Sequence, residues 1–128
     1  MRFMMLVKHK DQTCGAPPKE FMDQLNKLSE DASKTGAMIA SGGLAPMDQS
    51  TRVRLENGNV LIMDGPFSET KEVVGGYAQF EFKTKEDAVA STKKFMELHR
   101  DYWPGWEGET EIRQIFGPED FENFRPRR

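Results

Sequence analysis

The chain opens on an unbroken apolar run, Phe3 to Val7, in which Phe3, Met5 and Val7 share one side of an extended strand and Met4 and Leu6 the other. A strand that is apolar on both sides is covered on both sides, so Phe3 to His9 is expected inside a sheet rather than at its edge. After a polar stretch from Asp11 to Ala16, Pro17 and Pro18 suit the first turn of a helix. Phe21, Leu25, Leu28 and Ala32 then recur at helical spacing, with Met22 beside them, and Gly36 supplies the stop.

Ala37 to Ala40 reads as a short strand that Ser41-Gly42-Gly43 breaks or bulges. Thr51 to Glu56 and Asn59 to Met63 flank Asn57-Gly58, a strong hairpin signal because both turn positions need positive φ. Asp64 to Gly76 is expected as a loop punctuated by Gly65, Pro66, Gly75 and Gly76. Tyr77 to Phe82 alternates, with Ala78, Phe80 and Phe82 on one side and Tyr77, Gln79 and Glu81 on the other. Thr84 and Asp87 have the spacing of a helix cap, with Asp in place of the usual Glu or Gln. The helix they start carries Ala88, Val89, Thr92, Phe95, Met96 and His99 on one stripe and ends before Pro104. Thr110 to Phe116 is the last strand expected.

The order is strand, helix, strand, inserted hairpin, strand, helix, strand. It predicts an α+β fold, a ferredoxin-like split βαβ unit with a hairpin inserted. Residues 1–128 form a single domain in this reading, with 117–128 as a charged C-terminal tail. Two helices cover only one side of such a sheet. The doubly apolar first strand needs cover on its other side, and a second copy of the chain is the economical source, so a homodimer is expected.

Composition narrows the classes. A net charge of -3 argues against nucleic acid as a partner. The apolar run at Phe3 to Val7 is far short of the ~20 residues of a membrane span, and too short for a secretory signal, so a cytoplasmic location and no membrane partner are expected. With one cysteine, Cys14, there is no internal disulfide and no cysteine-based zinc site. His9 and His99 lie far apart, and neither stands in a His-x-His or Glu-x-x-His cluster, so no metal is expected. Ser41-Gly42-Gly43 lacks the spacing and lysine of a phosphate loop, and Ser68 lacks the glycines of a nucleophile elbow. No cofactor is expected.

Asp64-Gly65-Pro66-Phe67, followed by Glu69-Thr70-Lys71-Glu72 and Gly75-Gly76-Tyr77, resembles the DGPF proteins of the YCII-related family. Arg2 to Leu6, Gly42-Gly43-Leu44 and Arg52-Val53-Arg54 resemble further parts of the same pattern, so the resemblance runs from Met1 to about Phe116. It implies a dimeric α+β barrel and, for the YCII-like proteins, an enzyme built on a His–Asp pair in a cleft. It also implies a regulatory setting, since some DGPF proteins are encoded beside extracytoplasmic-function sigma factors. The shorter YCII-like proteins carry the histidine on the first helix, and Pro18 to Thr35 contains none. The carboxylate carries over as Asp64; the histidine does not, and His9 is the candidate to replace it.

Asp64 supports two assignments. A carboxylate shielded from water gains a raised pKa suited to proton transfer; an Asp before a Gly-Pro turn also accepts backbone N–H bonds. His9 continues the Phe3, Met5, Val7 side to a strand end, where pockets form. Tyr77 and Gln79 are polar handles of the type an apolar pocket uses to orient a ligand. Phe67 is an anchor for its loop or for a substrate, and Arg52 and Arg54 share one side of the hairpin, where they suit an anionic group. Asp64 and His9 are therefore the catalytic candidates, and Tyr77, Gln79, Phe67 and Arg54 the substrate-binding ones. Two functions fit. One is a small cofactor-independent enzyme of isomerase or lyase type, doing acid–base chemistry on a small organic substrate in a dimer cleft. The other is a non-catalytic homodimer that binds a metabolite or a partner, in sigma-factor-linked regulation.

Overall fold

A computed structural model describes residues 1–10, 15–65, 67 and 72–123. Along the chain run β1 (Arg2–Lys10), α1 (Lys19–Lys34), β2 (Met38–Gly43), β3 (Thr51–Glu56), β4 (Asn59–Asp64), β5 (Glu72–Glu81), α2 (Lys85–Tyr102), β6 (Gly108–Ile115) and α3 (Pro118–Asn123). Four strands form one antiparallel sheet in the order β2-β5-β1-β6, and β3 and β4 form a separate two-stranded sheet. The fold is mixed α+β. The doubly apolar β1 lies between β5 and β6, in the sheet interior where its sequence puts it.

The helices define the two faces of the large sheet. Phe3 and Met5 are buried, and Met5 meets Thr92 of α2, whose hydroxyl lies 3.3 Å from the Met5 sulfur. Register places Phe80 opposite Phe3 and Ala78 opposite Met5, so these side chains share the helix-covered face. Met4 and Leu6 point the other way, opposite Gln79 and Tyr77 of β5 and Arg113 and Glu111 of β6. The core continues between the helices. Phe21 of α1 packs edge-on to His99 of α2, and both are buried. Phe95, Trp103 and Trp106 complete an aromatic cluster around the His99 ring.

Local chemistry explains most boundaries. The Thr84 hydroxyl accepts the Asp87 backbone N–H at 3.1 Å, which caps α2 as the spacing predicts. Asn57 (φ 52°) and Gly58 (φ 78°) both lie in the left-handed region that a two-residue hairpin turn requires.

Several boundaries differ from expectation: β4 runs one residue further, to Asp64, and β6 spans Gly108–Ile115 where Thr110 to Phe116 is expected. Gly42-Gly43 pair with Tyr77 and Gly76 instead of ending β2, and the irregularity of that strand falls earlier, between Met38 and Ala40. β5 begins at Glu72, well before Tyr77, because the long β1 offers backbone partners to residues 72–76. A bulge between Val7 and Lys8 absorbs the extra residue, Gly75. Glu69, Thr70 and Lys71 of the expected loop lie outside the described residues, as do Asp11 to Cys14.

Candidate functional site

Asp64 is the last residue of β4 and is paired with Thr51, the first of β3. The Thr51 hydroxyl donates to Asp64 Oδ1 at 2.8 Å, and the carboxylate is otherwise on the surface. One hydrogen bond to one oxygen fixes the direction of the group and leaves it accessible. The base of the hairpin beneath it is hydrogen-bonded: Gly65 N–H donates to Ser50 O at 2.7 Å, and the Ser50 hydroxyl donates to Met47 O. A side chain at Gly65 would collide with Met47 O, so the chain after Asp64 passes where only glycine fits.

Phe67 and Arg52 form a second pair at the same base. The Arg52 guanidinium carbon lies 3.7 Å from the centroid of the Phe67 ring, a cation–π stack. Arg52 alternates with Thr51 and Val53 along β3, so the stack lies on the hairpin face opposite the Thr51–Asp64 pair. Arg54 shares the Arg52 face further out and is exposed.

Tyr77 and Gln79 stand on the face of the large sheet that carries Met4 and Leu6. Gln79 and both apolar neighbours are half-buried, and Tyr77 is 36% exposed. The Tyr77 ring leans over Gly42, where a Cβ would come within 2.9 Å of Cε1 and 3.1 Å of the hydroxyl oxygen. Lys8 and Glu111, paired at 2.5 Å, border the same face, and Lys8 holds the Glu111 carboxyl below its ordinary range.

His9 belongs to the other alternation of β1, that of Phe3, Met5 and Val7. Its imidazole lies over Gly75, where a Cβ would come within 2.8 Å of Cδ2 and Nε2. His9 and the Tyr77–Gln79 pair therefore occupy opposite faces of the sheet. Thr51, Gly42 and Gly75, the residues that seat these side chains, carry no chemistry of their own. Gly75 had a usable sequence signal, a glycine pair beside an alternating strand, which marks a bulge or a close approach.

A shallow open cleft elsewhere is lined by Met96, His99, Arg100, Trp103, Trp106 and Glu107. None of the six candidate residues reaches it. His99 Nδ1 lies 3.0 Å from Phe95 O, and burial pushes its pKa below the ordinary histidine value. Among the described residues no group of three His, Cys, Asp or Glu side chains could hold a metal ion, and no helix is long and apolar enough to cross a membrane.

A family model described as the YCII-related domain matches residues 1–100. No curated protein matches the chain.

Proposed function

The chain belongs to the YCII-related domain family, and from that premise we propose that it works as a cytoplasmic homodimer that takes a small organic molecule between the helix-free faces of two large sheets. The β2-β5-β1-β6 order supports a ferredoxin-like split βαβ unit. Two such sheets laid face to face make a dimeric α+β barrel. The observation that carries this assignment is the placing of Tyr77 and Gln79 beside Met4 and Leu6. An apolar surface with a few convergent polar groups is what a small-molecule pocket needs. The Lys8–Glu111 pair supplies a charged border.

Acid–base chemistry of isomerase or lyase type is the second assignment, with Asp64 as the proton-transfer group; His9, on the other face of the large sheet, and Phe67 and Arg54, on the other face of the hairpin, would join it only through the partner copy. The favouring observation is the Thr51 hydrogen bond, which orients an accessible Asp64 carboxylate at the hydrogen-bonded base of the hairpin. Without turnover, the same dimer is a metabolite- or partner-binding protein suited to sigma-factor-linked regulation.

Sedimentation equilibrium followed by a thermal-shift screen of small organic acids, amides and sugars tests the proposal. The expected result is a two-chain mass and a compound whose affinity falls at least fivefold in Gln79→Ala. A one-chain mass, or a ligand indifferent to both Tyr77→Phe and Gln79→Ala, rejects it. Consumption of the bound compound, abolished in Asp64→Asn, selects the enzyme over the binding protein.

A further inference from the structure

Among the described residues the β3–β4 hairpin pairs with no other strand, yet one of its faces is a ladder of large aliphatic side chains. Val53 faces Ile62 and Leu55 faces Val60 across the pair. Their exposures are 68% for Val53, 73% for Ile62, 74% for Leu55 and 66% for Val60. Four such side chains expose on the order of 500 Å², towards the upper end of the largest apolar patch on an ordinary monomer. An isolated two-stranded hairpin is marginal in water, and one with a bare aliphatic face is also an association hazard. The hairpin is nonetheless fixed at its base by the Gly65–Ser50 bond and by the Arg52–Phe67 stack on its other face. The aliphatic ladder thus stands on a base tied by these two contacts.

We infer that the β3–β4 hairpin is a dimer arm, whose Val53, Leu55, Val60 and Ile62 face docks on a second copy of this chain. The inference rests on the homodimer proposed above and names the element that closes it. Three observations select a second copy as the occupant. Beside the helix-free face that closes the proposed dimer, the chain exposes a further apolar edge at Ile39 of β2 and the adjoining Leu44. A two-fold axis pairs arm with body twice, so one interface covers both surfaces on both copies. The arm alone supplies roughly 60% of the ~800 Å² per partner that a stable interface buries, so a modest further contact completes it. Alternation adds a consequence for the site. Thr51 and Asp64 stand on the same hairpin face as the ladder, at its base, so the docked arm carries the Asp64 carboxylate to the partner interface.

The test is the dimer dissociation constant of the full chain, by sedimentation, for wild type and for Val53→Thr/Ile62→Thr. Threonine keeps the β-branched shape that the hairpin favours and removes apolar surface. At least a tenfold weakening is expected, with an unchanged far-ultraviolet spectrum. A wild-type dimer whose constant moves less than twofold in the variant overturns the arm and leaves the homodimer standing. A wild-type monomer overturns both. A monomer that binds phosphatidylcholine–phosphatidylglycerol vesicles through the ladder assigns the face to a membrane surface instead and also overturns the arm. Hydrogen exchange on wild type alone, above and below the dissociation constant, supplies a second measurement. Amides of residues 51–64 should slow on association by several-fold, and unchanged rates reject the arm.

Discussion

The imidazole of His9 fills the space that a side chain at Gly75 would need, with Cδ2 and Nε2 both 2.8 Å from an ideal Cβ at that position. The contact ties one candidate site residue to the bulge of β5. Gly75→Ala should therefore displace the ring or strain the strand, at a cost of roughly 1–3 kcal/mol. His9→Ala in the same background should recover most of that loss. Chemical denaturation of the two single variants and the double variant measures the coupling, and additive effects would count against the contact.

His99 gives the fold a pH dependence with a definite sign. Its pKa lies below the ordinary value of 6.5, chiefly because burial disfavours the charged ring. As pH falls through about 6.5 the unfolded chain takes up the proton before the native chain does, so stability falls with pH. Stability should be full above that value and decline below it, towards the folded-state pKa. The Glu111 carboxyl, held low by Lys8, adds a loss only at more acidic pH, below its ordinary value of 4.5. Unfolding free energy measured between pH 8 and pH 5.5 isolates the histidine. In His99→Gln the slope over that window should flatten.

Gly58 has φ 78° and Asn57 φ 52°. Replacing Gly58 with Val puts a β-branched residue into a region it resists, which should cost at least about 1 kcal/mol. Nothing lies within 4 Å of an ideal Cβ at Gly58, so the loss is conformational and not steric crowding from neighbours. Gly58→Asn, which tolerates the left-handed region, should be much milder. Equal unfolding midpoints for Gly58→Val and wild type would contradict this account.

Local chemistry made much of the fold readable from sequence. The interior position of β1 follows from Met4 and Leu6 being as apolar as Phe3 and Met5, and the α2 cap follows from Thr84 and Asp87. The hairpin register follows from Asn57-Gly58 by counting outward, which brings Thr51 opposite Asp64. Gly42-Gly43 reads as a strand break and Gly75-Gly76 as loop because a glycine pair interrupts a strand pattern in isolation, yet both pairs lie within paired strands. Here Gly42 makes room for Tyr77 and Gly75 for His9, a need that exists only once the strands are paired. The candidate site divides in the same way. Alternation alone places Tyr77 and Gln79 opposite Ala78 and Phe80. No local pattern shows that Arg52 covers Phe67, because that contact joins a strand to a loop across the hairpin base.

Asp64 offers the sharpest separation of chemistry from architecture. Its Oδ1 accepts one hydroxyl bond, from Thr51, across the first pair of the hairpin. Asp64→Asn is nearly isosteric and keeps a carbonyl acceptor for that bond, so the variant should lose no more than about 1 kcal/mol of stability. Thr51→Val keeps the β-branched shape and removes the donor from an exposed pair, and its cost should be similarly small. The two substitutions part company in function. If Asp64 transfers a proton, Asn cannot do so, and turnover in the dimer should fall by about 10²-fold or more. Thr51→Val leaves the carboxylate in place with its direction less fixed, so turnover should fall much less. If Asp64 serves only the hairpin, neither variant should affect ligand affinity by more than its small effect on stability. Measuring unfolding midpoints, dimer mass and ligand consumption on the same two preparations decides between these outcomes. A stable, dimeric Asp64→Asn protein with undiminished turnover removes the carboxylate from the chemistry.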